Sequence, residues 1–224
     1  MKLYWSPRSP FVRKVAAVAI DAGLDDRIEC VRTVADSQAP NLALMDKNPW
    51  AKIPTFETDE GVVLYDSDVI CDYLEELSGD ALARRRSGIE RWQMLAWRAF
   101  ANEMLDALVL WRHERQRQAA VQSARLMAAF DLKVRRALDW LEQRGGSLGT
   151  LDFRVAQVPL ACALGYVDFR YREYDWRAGR PALTRWEADV AARPALARTS
   201  PIDDLAQPAT AAMENSICLG RYRT

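Results

Sequence analysis

The hydrophobic period changes once along the chain, near residue 80, and that change limits the fold more than any other feature. Residues 1–78 alternate short extended runs with stretches of 3.6-residue spacing, whereas from about 83 onward only helical spacing remains. Such a pattern predicts a small α/β domain followed by an all-α one. At 224 residues there is room for both. The partition is 1–78 and 87–224, with a linker at about 79–86.

Within the first part, Lys2–Trp5 is a strand candidate, and Ser9-Pro10 then opens a helix. Serine is a favourable N-cap, and proline at the first helical position forfeits no hydrogen bond. Val12, Val15, Ala16 and Ala19 form one face of that helix, and Gly23 suits its C-terminal cap. Ile28–Val31 is a second strand candidate. Residues 36–50 are irregular, with room for one short helix. Thr55–Glu57 and Val62–Tyr65 read as a hairpin around Thr58-Asp59-Glu60-Gly61. Asp66-Ser67-Asp68 starts a helix carrying Val69, Ile70, Tyr73, Leu74 and Leu77, which ends at Ser78-Gly79. The predicted order is β-α-β-loop-β-β-α.

In the second part, Ile89, Trp92, Leu95, Ala96, Ala99, Met104, Leu108 and Trp111 stripe a long helix. Met127, Phe130, Val134, Leu138 and Leu141 stripe the next, which Gly145-Gly146 should break. The glycine-rich stretch Gly145–Gly149 follows no strand and precedes no lysine, so it fails as a phosphate-binding loop and is expected to be a helix–helix loop. Val155, Val158, Leu160, Ala161 and Leu164 mark a helix apolar nearly all round, hence buried. Leu183, Trp186 and Val190 mark one more. The run Arg84-Arg85-Arg86 reads as a solvated helix start, and the tail after Pro201 as loose except where Ile217-Cys218-Leu219 can dock.

Composition removes several classes of function. Acidic and basic residues number 31 each, so no global charge draws the chain to nucleic acid or to an anionic membrane. A single histidine, His113, excludes a multi-histidine metal site, and no metal is expected. Four dispersed cysteines suit a reducing compartment and read as packing groups. The opening MKLYWSPRSPF has no apolar core of a signal peptide. The longest near-apolar run, 158–167, is too short to span a bilayer. A cytoplasmic location is therefore expected.

Three features of the first 78 residues carry chemistry together. Ser9-Pro10 sets a helix N-terminus just after a strand, where backbone N–H groups and the helix dipole stabilise an anion. In Asn48-Pro49-Trp50-Ala51-Lys52-Ile53-Pro54, a proline just before a strand invites a cis bond that frees the Ile53 backbone for a peptide-like ligand. Asp66-Ser67 makes a second helix N-terminus, with a carboxylate placed to receive an ammonium. Taken singly, each is better read as a plain cap or a trans proline at a strand start, and it is their order and spacing that carry the signal.

In these motifs the sequence resembles the glutathione transferase family, over about residues 1–201. SPRSPFVRKV (6–15), NPWAKIPTF (48–56), VLYDSDVICDYLEE (63–76), ACALGYVDFR (161–170) and WEADVAARPALARTSP (186–201) carry the resemblance. It is closest to the small bacterial branch with serine, in an SPF sequence, at the first helix. The resemblance implies a thioredoxin-like N-terminal domain, an all-helical C-terminal domain and a homodimer. It implies an enzyme that adds the glutathione thiolate to small apolar electrophiles, with glutathione as co-substrate and no further cofactor. Ser9 matches the thiol-activating serine, with Ser6 a nearby competitor. Ile53 matches the residue whose backbone pairs with the cysteinyl part, and Pro54 the cis proline. Lys52 matches a peptide-holding position. Ser67 matches the grip on the γ-glutamyl carboxylate and Asp66 that on its ammonium. Phe11 and Trp111 are the foremost candidates for the electrophile, joined by Trp5, Tyr166, Arg112 and Arg115. The alternative is a non-catalytic glutathione-binding or protein-interaction module on the same fold. A glutathione-dependent thiol reductase would place cysteine where Ser9 stands.

Two departures from the family pattern stand out. The buried C-terminal helix commonly opens on a Ser/Thr-x-x-Asp box, but that slot holds Arg154-Val155-Ala156-Gln157, and arginine cannot accept the orphan N–H bonds. The helix is therefore expected to begin near Thr150 or Asp152. Tyr4 also lies too early to serve as the catalytic tyrosine of other classes.

Overall fold

Strand β1 (Lys2–Trp5) is the centre of the N-terminal unit, because its alternate side chains Leu3 and Trp5 are both buried. In this computed structural model, which describes residues 1–79 and 87–204, β1 pairs in parallel with β2 (Glu29–Arg32). Its other edge pairs antiparallel with β3 (Thr55–Glu57), and β3 pairs with β4 (Val63–Leu64). The sheet order is β2-β1-β3-β4, with Leu3 opposite both Cys30 and Phe56. Strand β2 lies one residue later than Ile28–Val31, and β4 is shorter than Val62–Tyr65.

Helix α1 (Pro10–Asp21) connects β1 to β2 and buries Val12, Val15, Ala16 and Ala19 as the spacing requires. Gly23 follows its C-cap at φ +67, a left-handed conformation that glycine adopts without Cβ strain. A single helical turn, α2 (Leu42–Met45), interrupts the long loop. Helix α3 (Ser67–Leu77) packs against α1 and inserts Ile70 and Leu74 into the core.

The second unit spans residues 87–193, whereas the sequence partition has 87–224 as one helical domain. Helix α4 (Gly88–Arg115) buries Met94, Ala101, Met104, Leu105, Leu108 and Trp111. The expected stripe is corrected at its start: Ile89 and Trp92 are 70% and 61% exposed, and Ala96 and Ala99 are exposed with them. At about 100° per residue, Trp92, Ala96 and Ala99 lie on the side of the helix opposite the buried set. Two apolar faces share one helix, and the spacing alone does not say which is covered.

Helix α5 (Ala124–Glu142) buries Phe130, Val134, Leu138 and Leu141. The glycine-rich stretch is not simply a loop, because Gly145–Leu148 forms a one-turn helix, α6. Gly145 is buried there, and a Cβ on it would lie 2.6 Å from the Ala182 Cβ, so the glycine admits a close approach of α8 (Pro181–Ala191).

The buried helix α7 (Val158–Arg170) is preceded by a π-helical turn, Phe153–Gln157. Asp152 caps that turn, accepting a bond from the Val155 N–H at 3.1 Å, which is the start expected from the missing box. Gln157 donates from its side chain to the carbonyls of Gly149 and Leu151, so the approach to the helix is hydrogen-bonded on both sides.

The chain then returns to the first unit through a short turn, α9 (Pro194–Ala197). Arg13 donates to the Leu196 carbonyl at 3.3 Å, Arg198 pairs with Asp25 at 2.7 Å, and the Ile202 N–H donates to the Pro7 carbonyl at 3.3 Å. The linker 80–86, with Arg84–Arg86, and the tail from 205, with Ile217-Cys218-Leu219, lie outside the described residues. Among the described residues no helix is long and apolar enough to cross a membrane.

Candidate functional site

Register places the three motifs at one end of the sheet. Strand β1 leaves the sheet at Trp5, and Tyr4 is opposite Thr55, so the antiparallel β3 enters at that same end. Strand β4 runs antiparallel to β3 and leaves there too, since Leu64 is opposite Phe56. The Ser6–Ser9 loop, the Ile53-Pro54 turn and the start of α3 at Asp66 therefore share one edge. Ligands of open α/β sheets bind at edges of this kind, outside the strand ends and against helix N-termini.

Ser9 is the N-cap of α1, and its Oγ accepts the Val12 N–H at 3.3 Å. Accepting there leaves the hydroxyl proton available for donation. Ser9 is half-buried, whereas Ser6 is 4% exposed and its Oγ accepts from the Arg8 N–H at 3.4 Å. The Ser9 N–H itself donates to the Ser6 carbonyl at 3.1 Å, so the two serines belong to one tight turn. That turn is also held from behind. Arg32 Nε donates to Asp204 Oδ2 at 2.7 Å, and Arg8 Nε lies 3.1 Å from Asp204 Oδ1.

The Ile53–Pro54 bond is cis, as the resemblance implies. Ile53 lies two residues before the β3 ladder and is half-buried, Pro54 is buried and Lys52 is exposed. A framework absent from the sequence reading holds this turn. Asn48, 1% exposed, donates to the Lys52 carbonyl at 3.2 Å and to Thr55 Oγ1 at 3.0 Å, and accepts the Trp50 N–H at 3.1 Å. Thr55 Oγ1 donates to the same Lys52 carbonyl at 2.7 Å. The available signal was the turn-forming Asn-Pro pair, whose side-chain amide bridges its own loop. Ala51 sits at φ +50, a left-handed conformation that costs a residue with a Cβ about 1–2 kcal/mol.

Asp66 caps α3, its Oδ1 accepting the Asp68 N–H at 3.0 Å, and its carboxylate is exposed. Ser67, the first helical residue, is 3% exposed. The Tyr65–Asp66 peptide bond is also cis. Lys14, buried in α1, places its Nζ 2.6 Å from Asp68 Oδ1, a link that the sequence reading missed because helical spacing assigns Lys14 no partner.

The aromatic candidates divide between the units. Phe11 is the second residue of α1 and is half-buried. Trp5 and Tyr166 are 2% and 3% exposed. Trp111 is buried inside the helical unit, its ring centroid 4.8 Å from Tyr171 and 6.1 Å from Tyr174, with the Arg115 guanidinium over both Trp111 and Tyr171. Burial pushes the Tyr166 hydroxyl pKa up. Tyr4 donates to Glu57 at 3.3 Å, and burial together with the Glu57 charge raises its pKa as well, which opposes a tyrosinate role. Burial also pushes the Cys71 thiol well up, so Cys71 is a packing group rather than a nucleophile.

A mixed four-stranded sheet with two capped helix starts and a cis-proline turn at one end defines a thioredoxin-like unit, followed in the chain by a helical unit. Comparison with known proteins identifies the family. Residues 8–77 match the glutathione S-transferase N-terminal domain and residues 113–189 its C-terminal domain. The chain belongs to the glutathione S-transferase family. It is 31% identical over 203 residues to the uncharacterized GST-like protein YibF of Escherichia coli, covering 90% of this chain and 98% of that protein. A glutathione transferase family member from Pseudomonas fluorescens Pf-5, solved with bound glutathione, is 36% identical with a TM-score of 0.85, covering 90% of this chain and 99% of that one. A glutathione S-transferase from Methylobacillus flagellatus KT, solved with GSH bound, is 31% identical with a TM-score of 0.80 and the same coverage.

Proposed function

We propose that this protein is a cytoplasmic glutathione transferase, which activates the glutathione thiol at Ser9 and adds it to a small apolar electrophile. The observation that carries this reading is the convergence of Ser9, Ile53-Pro54 and Asp66-Ser67 on one sheet edge. The Ile53 backbone pairs with the cysteinyl residue, and Lys52 helps hold the peptide. Ser67 and the α3 N-terminus take the γ-glutamyl carboxylate, while Asp66 takes the ammonium. Glutathione is the co-substrate, and no further cofactor or metal enters the reaction.

Ser9 is preferred over Ser6 because it is the more exposed of the two and lies at a helix N-terminus. A free thiol with a pKa near ~8.5 is only a few per cent ionised at pH 7. A hydroxyl donor and the N-terminal end of α1 favour the thiolate, which then attacks the electrophile. Phe11 offers apolar surface beside Ser9. Trp111, enclosed by its aromatic neighbours, is the less available of the two candidates.

The working unit is a homodimer. Trp50, Ile89 and Trp92 are 77%, 70% and 61% exposed, large apolar side chains that a second copy of the chain would cover. Sedimentation at micromolar concentration should give about twice 25.4 kDa, and a monomer would overturn the dimer. Calorimetric titration with glutathione, followed by turnover with a generic aromatic halide, tests the activity. Binding without turnover, across a panel of electrophiles, would leave a glutathione-binding module instead.

A further inference from the structure

Lys14 is 1% exposed, on a face of α1 that is otherwise apolar. Burying an ammonium is costly unless a partner meets it, and a leucine would serve simple packing as well or better. Its Nζ lies 2.6 Å from Asp68 Oδ1, and the Asp68 backbone N–H donates in turn to Asp66 Oδ1. A continuous polar path thus runs from the interior of α1 to the Asp66-Ser67 start of α3.

We infer that Lys14 is a charge-balancing, positioning residue for the γ-glutamyl end of glutathione. The inference rests on the glutathione reading above. Two carboxylates flank Ser67 in the chain. Asp66 suits the ligand's ammonium, but Asp68 sets a second negative charge beside the point where the ligand's carboxylate must dock. At a separation of about 6 Å, and with an effective dielectric between ~20 and ~80, an Asp68 charge no longer paired with Lys14 would weaken binding by up to roughly three- to hundredfold. Lys14 pairs with Asp68 in a group that also holds the Asp72 and Glu75 carboxylates of α3 around Cys71, so it offsets the negative charge at this helix start and eases docking of the carboxylate while Asp66 keeps its grip on the ammonium. It also ties the helix that bears Ser9 to the helix that bears Ser67, the two proposed anchors of one tripeptide.

The test compares wild type, Lys14→Met, and Lys14→Met combined with Asp68→Asn, titrated calorimetrically with two ligands. One is glutathione; the other is 4-aminobutanoyl-cysteinylglycine, which keeps the ammonium but lacks the γ-glutamyl α-carboxylate. Lys14→Met should bind glutathione about tenfold more weakly and the analogue within about twofold, and adding Asp68→Asn should restore most of the loss. Equal losses for both ligands, or no recovery in the double variant, would overturn the inference while leaving the glutathione reading in place. Wild type that binds neither ligand would overturn that reading and the inference with it. Should Lys14→Met fail to fold by circular dichroism, Asp68→Asn alone decides: glutathione affinity equal to wild type or higher supports the role, and a tenfold loss refutes it.

Discussion

Replacing Ser9 by alanine separates two roles that one hydroxyl holds at once. As a cap, the Oγ accepts the Val12 N–H at 3.3 Å, a long bond, so its loss should cost at the low end of the usual range, about 0.5–1 kcal/mol. For a chain of 224 residues that lowers the melting temperature by about 1–4 °C. As a thiol activator, the same hydroxyl donates to the sulfur anion, and losing one preorganised donor typically lowers turnover by ~10²–10³. The thiolate is the reactive form, so a donor that favours it moves the rise of rate with pH below the free-thiol midpoint. Without the donor, that midpoint should climb back toward ~8.5. Glutathione affinity should change little, because Ile53, Asp66 and Ser67 hold the peptide. The assay is a pH–rate profile with an aromatic halide at saturating glutathione, beside a thermal melt of each variant, and Ser6→Ala is the control. A Ser9→Ala protein with lowered melting temperature but unchanged rate profile would refute the activator role. Loss of activity in Ser6→Ala with Ser9→Ala unaffected would move that role to the buried serine.

Asp66→Ala should lower glutathione affinity by about tenfold or more, since the ammonium loses its carboxylate, and should also cost about 1 kcal/mol of stability through the lost Asp68 N–H bond; an unchanged titration removes Asp66 from the site. Ala51→Gly relieves the left-handed backbone at φ +50 and should raise stability by about 0.5–1 kcal/mol in urea denaturation, and a loss would show that the methyl group matters more than the strain. Gly145→Ala drives a methyl to 2.6 Å from Ala182 Cβ and should cost about 1–3 kcal/mol by the same assay, with glutathione affinity intact.

Much of this architecture was legible before any coordinates, because local signals and global fold agree. Ser9-Pro10, Asp66-Ser67 and Ser78-Gly79 start or stop helices by side-chain and backbone chemistry that acts within four residues. The same locality explains Asp152, where removing arginine as a cap left a nearby aspartate to take the N–H. Contacts distant in sequence were not legible. Lys14 and Asp68 are 54 positions apart, and neither helical period names the other. Asn48 reads as a turn residue, yet its amide also reaches Thr55 across the cis-proline turn. Gly145 reads as a helix breaker because its neighbour, Ala182, comes from a helix 37 positions later. The face of α4 carrying Trp92 shows the other limit, since period gives a stripe but not what covers it.

The clasp of Asp204 on Arg8 and Arg32 has a practical consequence for anyone preparing this protein. The polypeptide's last described stretch supports the turn that presents Ser9, although it lies nearly two hundred positions away in the chain. Trimming by a protease just before Ile202 would remove that support while sparing the sheet, both major helices of the first unit and the whole second unit. Because the lost contacts bear on the turn that presents Ser9, intact mass is the measurement that certifies a preparation for kinetics.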